Sequence, residues 1–153
     1  MAELTDIRHI AAPYDGELVV TGRFERRVDV WSLRTGRSLV GFDTVLDFGG
    51  QRLALSSQTG ICLAAAHRAQ GVAAYGLADG RLIWRRADLE GIQQITVSPD
   101  GRTAYCCFDD RPCEVIAVAQ GRTVRTLHGV RRLWVDPFLS DRLEQGGEAE
   151  IPR

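Results

Sequence analysis

A turn glycine recurs at Gly16, Gly60 and Gly101, in Tyr14-Asp15-Gly16, Gln58-Thr59-Gly60 and Ser98-Pro99-Asp100-Gly101, spaced 44 and 41 residues apart. Each is followed 20 residues later by a second glycine: Gly36 in Arg34-Thr35-Gly36-Arg37, Gly80 in Ala78-Asp79-Gly80-Arg81, and Gly121 in Ala119-Gln120-Gly121-Arg122. Fifteen residues after each first glycine stands a large apolar residue, Trp31, Tyr75 or Ile116. Punctuation this dense excludes a helical chain, because turn pairs interrupt every window of ~10 or more residues. It fits short strands joined by tight turns in which glycine accepts positive φ at little steric cost.

Each unit reads as four strands. In unit one these are Ile7–Ala12, Glu17–Gly22, Val28–Leu33 and Ser38–Phe42. Unit two has Leu53–Leu55, Ile61–Ala66, Val72–Leu77 and Arg81–Trp84, and unit three Ile92–Val97, Thr103–Phe108, Glu114–Val118 and Thr123–Leu127. Several strands, Ile61–Ala66 among them, are apolar at successive positions. A sheet sandwiched between two neighbours demands that pattern, whereas one solvated face would demand alternation. A period of about 40–45 residues is one four-stranded propeller blade. The expected fold is therefore all-β, with blades at about 7–48, 49–90 and 91–130 and the start of a fourth at 131–139. In that fourth unit Leu133-Trp134-Val135-Asp136-Pro137 aligns with Ile95-Thr96-Val97-Ser98-Pro99, but the matching turn glycine is replaced by Leu139. Residues 1–139 are thus read as a partial propeller and 140–153 as a polar tail.

The segment Ile95-Thr96-Val97-Ser98-Pro99-Asp100-Gly101-Arg102 resembles the first strand and turn of WD40-like and related β-propeller repeats. Val28-Asp29-Val30-Trp31-Ser32-Leu33-Arg34-Thr35-Gly36-Arg37 is similar to the third strand of those repeats, with its Trp-Asp pair and Thr-Gly turn. The resemblance covers about residues 7–137 and implies a propeller that binds other proteins. The copies are degenerate: the Trp-Asp pair is Trp31-Ser32, Tyr75-Gly76 and Ile116-Ala117, and the family's Gly-His pair is absent. The Asp–His–Ser–Trp hydrogen-bond network of the family is accordingly not expected, and apolar stacking should hold the blades.

Composition narrows the function. Formal net charge is −1, with 20 acidic against 19 basic residues, which gives no footprint for nucleic acid or an anionic membrane. All basic residues are arginine, which reads as codon bias in a GC-rich genome rather than phosphate recognition. With no signal-peptide pattern and no apolar run near ~18 residues, a cytoplasmic location is expected. Cys62, Cys106, Cys107 and Cys113 lack metal-type spacing and are expected reduced, as buried small hydrophobes.

Nothing points to catalysis, and no enzyme activity, cofactor or metal is expected. His9, His67 and His128 occupy three different places in the repeat. Asp29 and Glu114 recur on the third strand, but Ala73 replaces them in unit two, so converging carboxylates are not expected. Asp109-Asp110 falls far short of a calcium set of six to eight oxygens. No Gly-x-Ser-x-Gly elbow, Walker loop or His-Glu-x-x-His occurs.

Three blades cannot close a ring, since propellers typically hold about four to eight. An open stack would expose two apolar sheet faces and unprotected edges. Completion or capping by a protein partner or a second copy is the expected function, with strand addition at Leu133, Trp134 and Val135 and further contacts at Trp84, Arg131 and Arg132. The other readings are a fragment of a longer propeller, and an oligomeric propeller that binds a small ligand or glycan. Against the latter, Trp84 and Trp134 lie at different repeat positions, so no binding constellation repeats.

Overall fold

The computed structural model describes residues 7–12, 16–23, 26–44, 52–66 and 71–129. These hold twelve strands and, among the described residues, no helix. Blade 1 comprises β1 (Ile7–Ala11), β2 (Leu18–Arg23), β3 (Arg27–Ser32) and β4 (Ser38–Asp43). Blade 2 comprises β5 (Arg52–Ser56), β6 (Ile61–Ala65), β7 (Val72–Gly76) and β8 (Leu82–Arg86). Blade 3 comprises β9 (Ile92–Val97), β10 (Thr103–Phe108), β11 (Cys113–Ala117) and β12 (Thr123–Leu127). Each sheet is an antiparallel meander in chain order, β1-β2-β3-β4, β5-β6-β7-β8 and β9-β10-β11-β12. The first strands come together, β5 lying between β1 and β9. The all-β, propeller-type architecture is as expected, and the three sheets do not close into a ring. The strand proposed at 131–139 and the tail at 140–153 lie outside the described residues.

The turn between the third and fourth strands is built identically three times. Gly36, Gly80 and Gly121 adopt φ of 69°, 72° and 76°. Their N–H groups donate to the carbonyls of Ser32, Gly76 and Ala117, and those residues donate to Arg37, Arg81 and Arg122. The left-handed backbone strains any side chain, so glycine is required there. The first turn is not in register, although the glycine spacing suggested that it is. Equivalent bonds run from Leu33 N–H to the Glu17 carbonyl, Leu77 to Gly60 and Val118 to Arg102. Thr59, rather than Gly60, therefore stands where the other blades have Gly16 and Gly101.

The core lies between the blades. Each blade has a leading face, toward the blade before it, and a trailing face, toward the blade after it. Val20, Val28, Val30 and Phe42 on the trailing face of blade 1 pack against Leu53, Leu55, Cys62, Ala64, Ala73 and Tyr75 on the leading face of blade 2. Ala54, Ile61, Leu63, Val72 and Ala74 on the trailing face of blade 2 pack against Ile95, Ala104, Cys106, Phe108 and Ile116 of blade 3. Both faces of β6 are buried, which is why it carries no polar alternation.

An aromatic side chain from the fourth strand seals each junction. Phe42 sits on Gly80 and meets the Tyr75 ring at 5.2 Å between centroids. Trp84 lies across Gly121, and its indole N–H donates to the Val118 carbonyl at 2.8 Å. Arg86 donates to the Gly121 carbonyl at 3.0 Å and to the Thr123 hydroxyl at 2.9 Å. At the other edge, the Ser56 hydroxyl donates to the Gly101 carbonyl and the Gln58 amide to that of Pro99.

Candidate interaction face

The strand register makes residues of the three blades directly comparable. Trp31, Tyr75 and Ile116 occupy one position, and Leu33, Leu77 and Val118 the next one on the same face. All six lie on the leading face, and Tyr75, Leu77, Ile116 and Val118 pack against the preceding blade. Tyr75 and Ile116 are 1% and 0% exposed, and Leu77 and Val118 are 9% and 0%. In blade 1, which has no blade before it among the described residues, Trp31 is half-buried and Leu33 is 53% exposed. Ile10 and Leu39 on the same face are 67% and 58% exposed. At Leu33 and Ile10 the leading face of blade 1 therefore presents to solvent what blades 2 and 3 bury as Leu77 and Val118 and as Leu53 and Ile95, whereas Leu39 is exposed like its counterparts Ile83 and Val124.

The centre of this face is polar. Thr21 and Asp29 are both buried there, where blade 2 has Ala64 and Ala73. The Trp31 indole N–H donates to the Thr21 hydroxyl at 2.9 Å. Arg27 lies across Gly41, 3.4 Å from the Asp29 carboxylate and 3.7 Å from that of Asp43. The bond from Trp31 to Thr21 is a single side-chain link between the second and third strands of blade 1. Beside Leu33 a groove of about 470 Å³ is lined by Gly16, Glu17, Leu18, Ser32, Leu33 and Arg34. No heavy atom lies over Gly36, in contrast to Phe42 on Gly80 and Trp84 on Gly121.

The opposite end of the stack differs from the expected pair of exposed faces. On the trailing face of blade 3, Tyr105, Cys107, Val115 and Leu127 are buried. Among the described residues the three most exposed large apolar side chains, Ile10, Leu33 and Leu39, are on blade 1, while Leu82, Ile83 and Val124 are exposed on the fourth strands of blades 2 and 3.

Of the residues singled out from the sequence, Leu133, Trp134, Val135, Arg131 and Arg132 lie outside the described residues. Trp84 is half-buried between blades 2 and 3. Leu33, Ile10 and Leu39 were missed, although Leu33, Leu77 and Val118 each lie two residues after the aligned Trp31, Tyr75 and Ile116.

The charged residues serve structure. Asp29, Ala73 and Glu114 are equivalent, and the two acids pair with Arg27 and Arg111 rather than with each other. Arg86 hydrogen-bonds both oxygens of Asp88, which holds that carboxyl below its ordinary value. Asp109 and Asp110 are exposed in the β10–β11 loop, and His128 is exposed. Among the described residues no group of three or more His, Cys, Asp or Glu side chains is placed to hold a metal ion. No helix among them is long and apolar enough to cross a membrane.

No protein-family model matches the sequence, and no curated protein matches it in sequence. Solved structures do resemble the fold. Hydrazine synthase from Kuenenia stuttgartiensis superposes with a TM-score of 0.63 at 17% identity, over 84% of this chain and 37% of that one. BamB from Moraxella catarrhalis superposes with a TM-score of 0.61 at 16% identity, over 76% of this chain and 35% of that one. The chain is a propeller-type repeat protein. It spans little more than a third of the length of either neighbour.

Proposed function

We propose that this chain is a non-catalytic interaction module: an incomplete WD40-like propeller whose blade 1 leading face is completed or capped by a protein partner or a second copy. One observation carries the reading. The repeat position held by Leu33, Leu77 and Val118 is exposed in blade 1 and buried in blades 2 and 3. Large exposed apolar groups rimming a polar centre suit an interface between separate molecules, which is about as polar as ordinary surface, better than a sealed interior. The WD40-like affiliation is supported by Ser98-Pro99-Asp100-Gly101 and by the hydrogen bond from Trp31 to Thr21.

Trp84 supports binding of protein rather than sugar, because its indole N–H is committed to Val118 and its ring to Gly121. The fold itself is neutral on catalysis, since one fold carries many functions. Light scattering over a range of concentrations tests the proposal in its self-association form. Mass rising above that of a single chain, and falling back in Leu33→Glu, supports it. For completion by a partner, a protein that co-purifies with the wild type and is lost from Leu33→Glu is the expected result. A monomer at all concentrations that unfolds cooperatively and retains no partner overturns the reading.

A further inference from the structure

Two of the four cysteines face each other across a hairpin. Cys106 stands opposite Glu114 in the β10–β11 register, so one step toward the loop Cys107 stands opposite Cys113. Both belong to the trailing face of blade 3, with Tyr105 and Val115. Directly opposed residues of an antiparallel pair have Cα atoms about 4.5–5.5 Å apart. That separation falls inside the span of about 4.4–6.8 Å that a disulfide bridges.

The two sulfurs already interact. Hydrogen bonding from the Cys107 side chain and the Phe108 backbone favours the charged form of Cys113. Together they hold the Cys113 thiol below its ordinary value, against the opposing effect of burial. The other two cysteines are different. Burial pushes the Cys62 thiol up to about 12 and raises that of Cys106 as well, so both stay protonated and unreactive. Position matters too: Cys107 is the last residue but one of β10 and Cys113 opens β11. Strand ends beside a loop open locally more easily than strand centres, which admits a small oxidant.

We propose that Cys107 and Cys113 form a reversible disulfide across the β10–β11 hairpin, with Cys113 as the thiol that attacks peroxide and Cys107 as the resolving thiol. Cys113 attacks one oxygen of hydrogen peroxide and the O–O bond breaks. Cys113 becomes a sulfenic acid, and the departing hydroxide leaves as water with the proton the thiol gave up. The Cys107 sulfur then attacks the sulfenic sulfur, the S–O bond breaks, and a second water carries away the proton from Cys107. Two thiols are oxidised and one peroxide is reduced to two waters; a dithiol reductant reverses the bond by exchange.

The test is peroxide treatment of the full chain, alkylation in denaturant, and mass analysis of tryptic peptides. Trypsin cuts poorly at Arg111-Pro112, so Thr103–Arg122 carries Cys106, Cys107 and Cys113 together. The expected result is loss of two hydrogens on this peptide, reversed by dithiothreitol. It should persist in Cys106→Ala, where Cys107 and Cys113 are the peptide's remaining thiols, and disappear in Cys107→Ala. Three alkylated thiols after peroxide, a bridge that survives Cys107→Ala, or Cys113 oxidised to sulfinic acid without a bridge would each overturn the proposal. If Cys107→Ala fails to fold by circular dichroism, the wild-type and Cys106→Ala results decide alone.

Discussion

Glycine at the left-handed turns does two separable things, and substitutions divide them. At Gly36 the backbone has φ of 69° and a Cβ would meet nothing within 4 Å, so Gly36→Ala incurs only the conformational cost, about 1–2 kcal/mol. At Gly121 the same strain applies at φ of 76°, and a Cβ would also fall 2.5 Å from the Trp84 indole. Overpacking adds about 1–3 kcal/mol, so Gly121→Ala should lower the denaturant midpoint clearly more than Gly36→Ala. Equal losses would show that Trp84 does not seal that junction. A second residue-scale effect concerns acid. Asp88 lies below its ordinary 3.8 because it accepts hydrogen bonds from Arg86. The stability contributed by that pair is present above the unfolded value and is lost as pH falls through the lower folded one. Asp88→Asn should flatten this part of the acid limb, read as thermal midpoint against pH from neutrality down to about pH 2.

At the scale of elements, the fourth strands of blades 1 and 2 lock the next blade in place. In blade 2 this rests on Trp84, whose N–H satisfies the Val118 carbonyl. Trp84→Phe keeps an aromatic ring but leaves a carbonyl without its donor, which costs about 1–3 kcal/mol. Amide exchange should accelerate in β11 and β12 and stay unchanged in β1 to β4. Uniform acceleration would mean that the junction is not a local lock. The third and fourth strands were legible in the sequence because Trp31, Tyr75 and Ile116 keep one offset to Gly36, Gly80 and Gly121, and glycine has no substitute at positive φ. The first turn misled because Thr59 can hold its place by side-chain bonding, donating from both its N–H and its hydroxyl to Ser56 Oγ. That freed Gly60 to stand one residue later. The facing of each strand was not legible, since Ile61–Ala65 is apolar throughout and offers no alternation to orient it. That an open stack exposes its end faces was expected, but Leu33 was not singled out: it looks like Leu77 and Val118 as a letter, and only packing distinguishes an exposed leucine from a buried one.

At the scale of the whole molecule, a repeat protein is stabilised by each unit and by the interfaces between neighbours, so one substitution at one repeat position tests several environments. Leu33, Leu77 and Val118 share such a position. Leu77→Glu and Val118→Glu place a carboxylate at sites that are 9% and 0% exposed, and burial of an unpaired charge exceeds about 4 kcal/mol. Both should abolish cooperative unfolding or prevent recovery of folded protein. Leu33→Glu places the same carboxylate at a site 53% exposed, where surface substitutions stay within about 0.5 kcal/mol. Its melting curve should overlay the wild type while its association is lost, because the charge would be stranded only once a neighbour covered the face. The two readouts are independent. A Leu33→Glu chain that melts like the wild type and still associates would move the interface off blade 1. One that unfolds like Leu77→Glu would show that the leading face is already covered within the chain. On the proposed function, the position that blades 2 and 3 use for folding is the one that blade 1 would keep for binding.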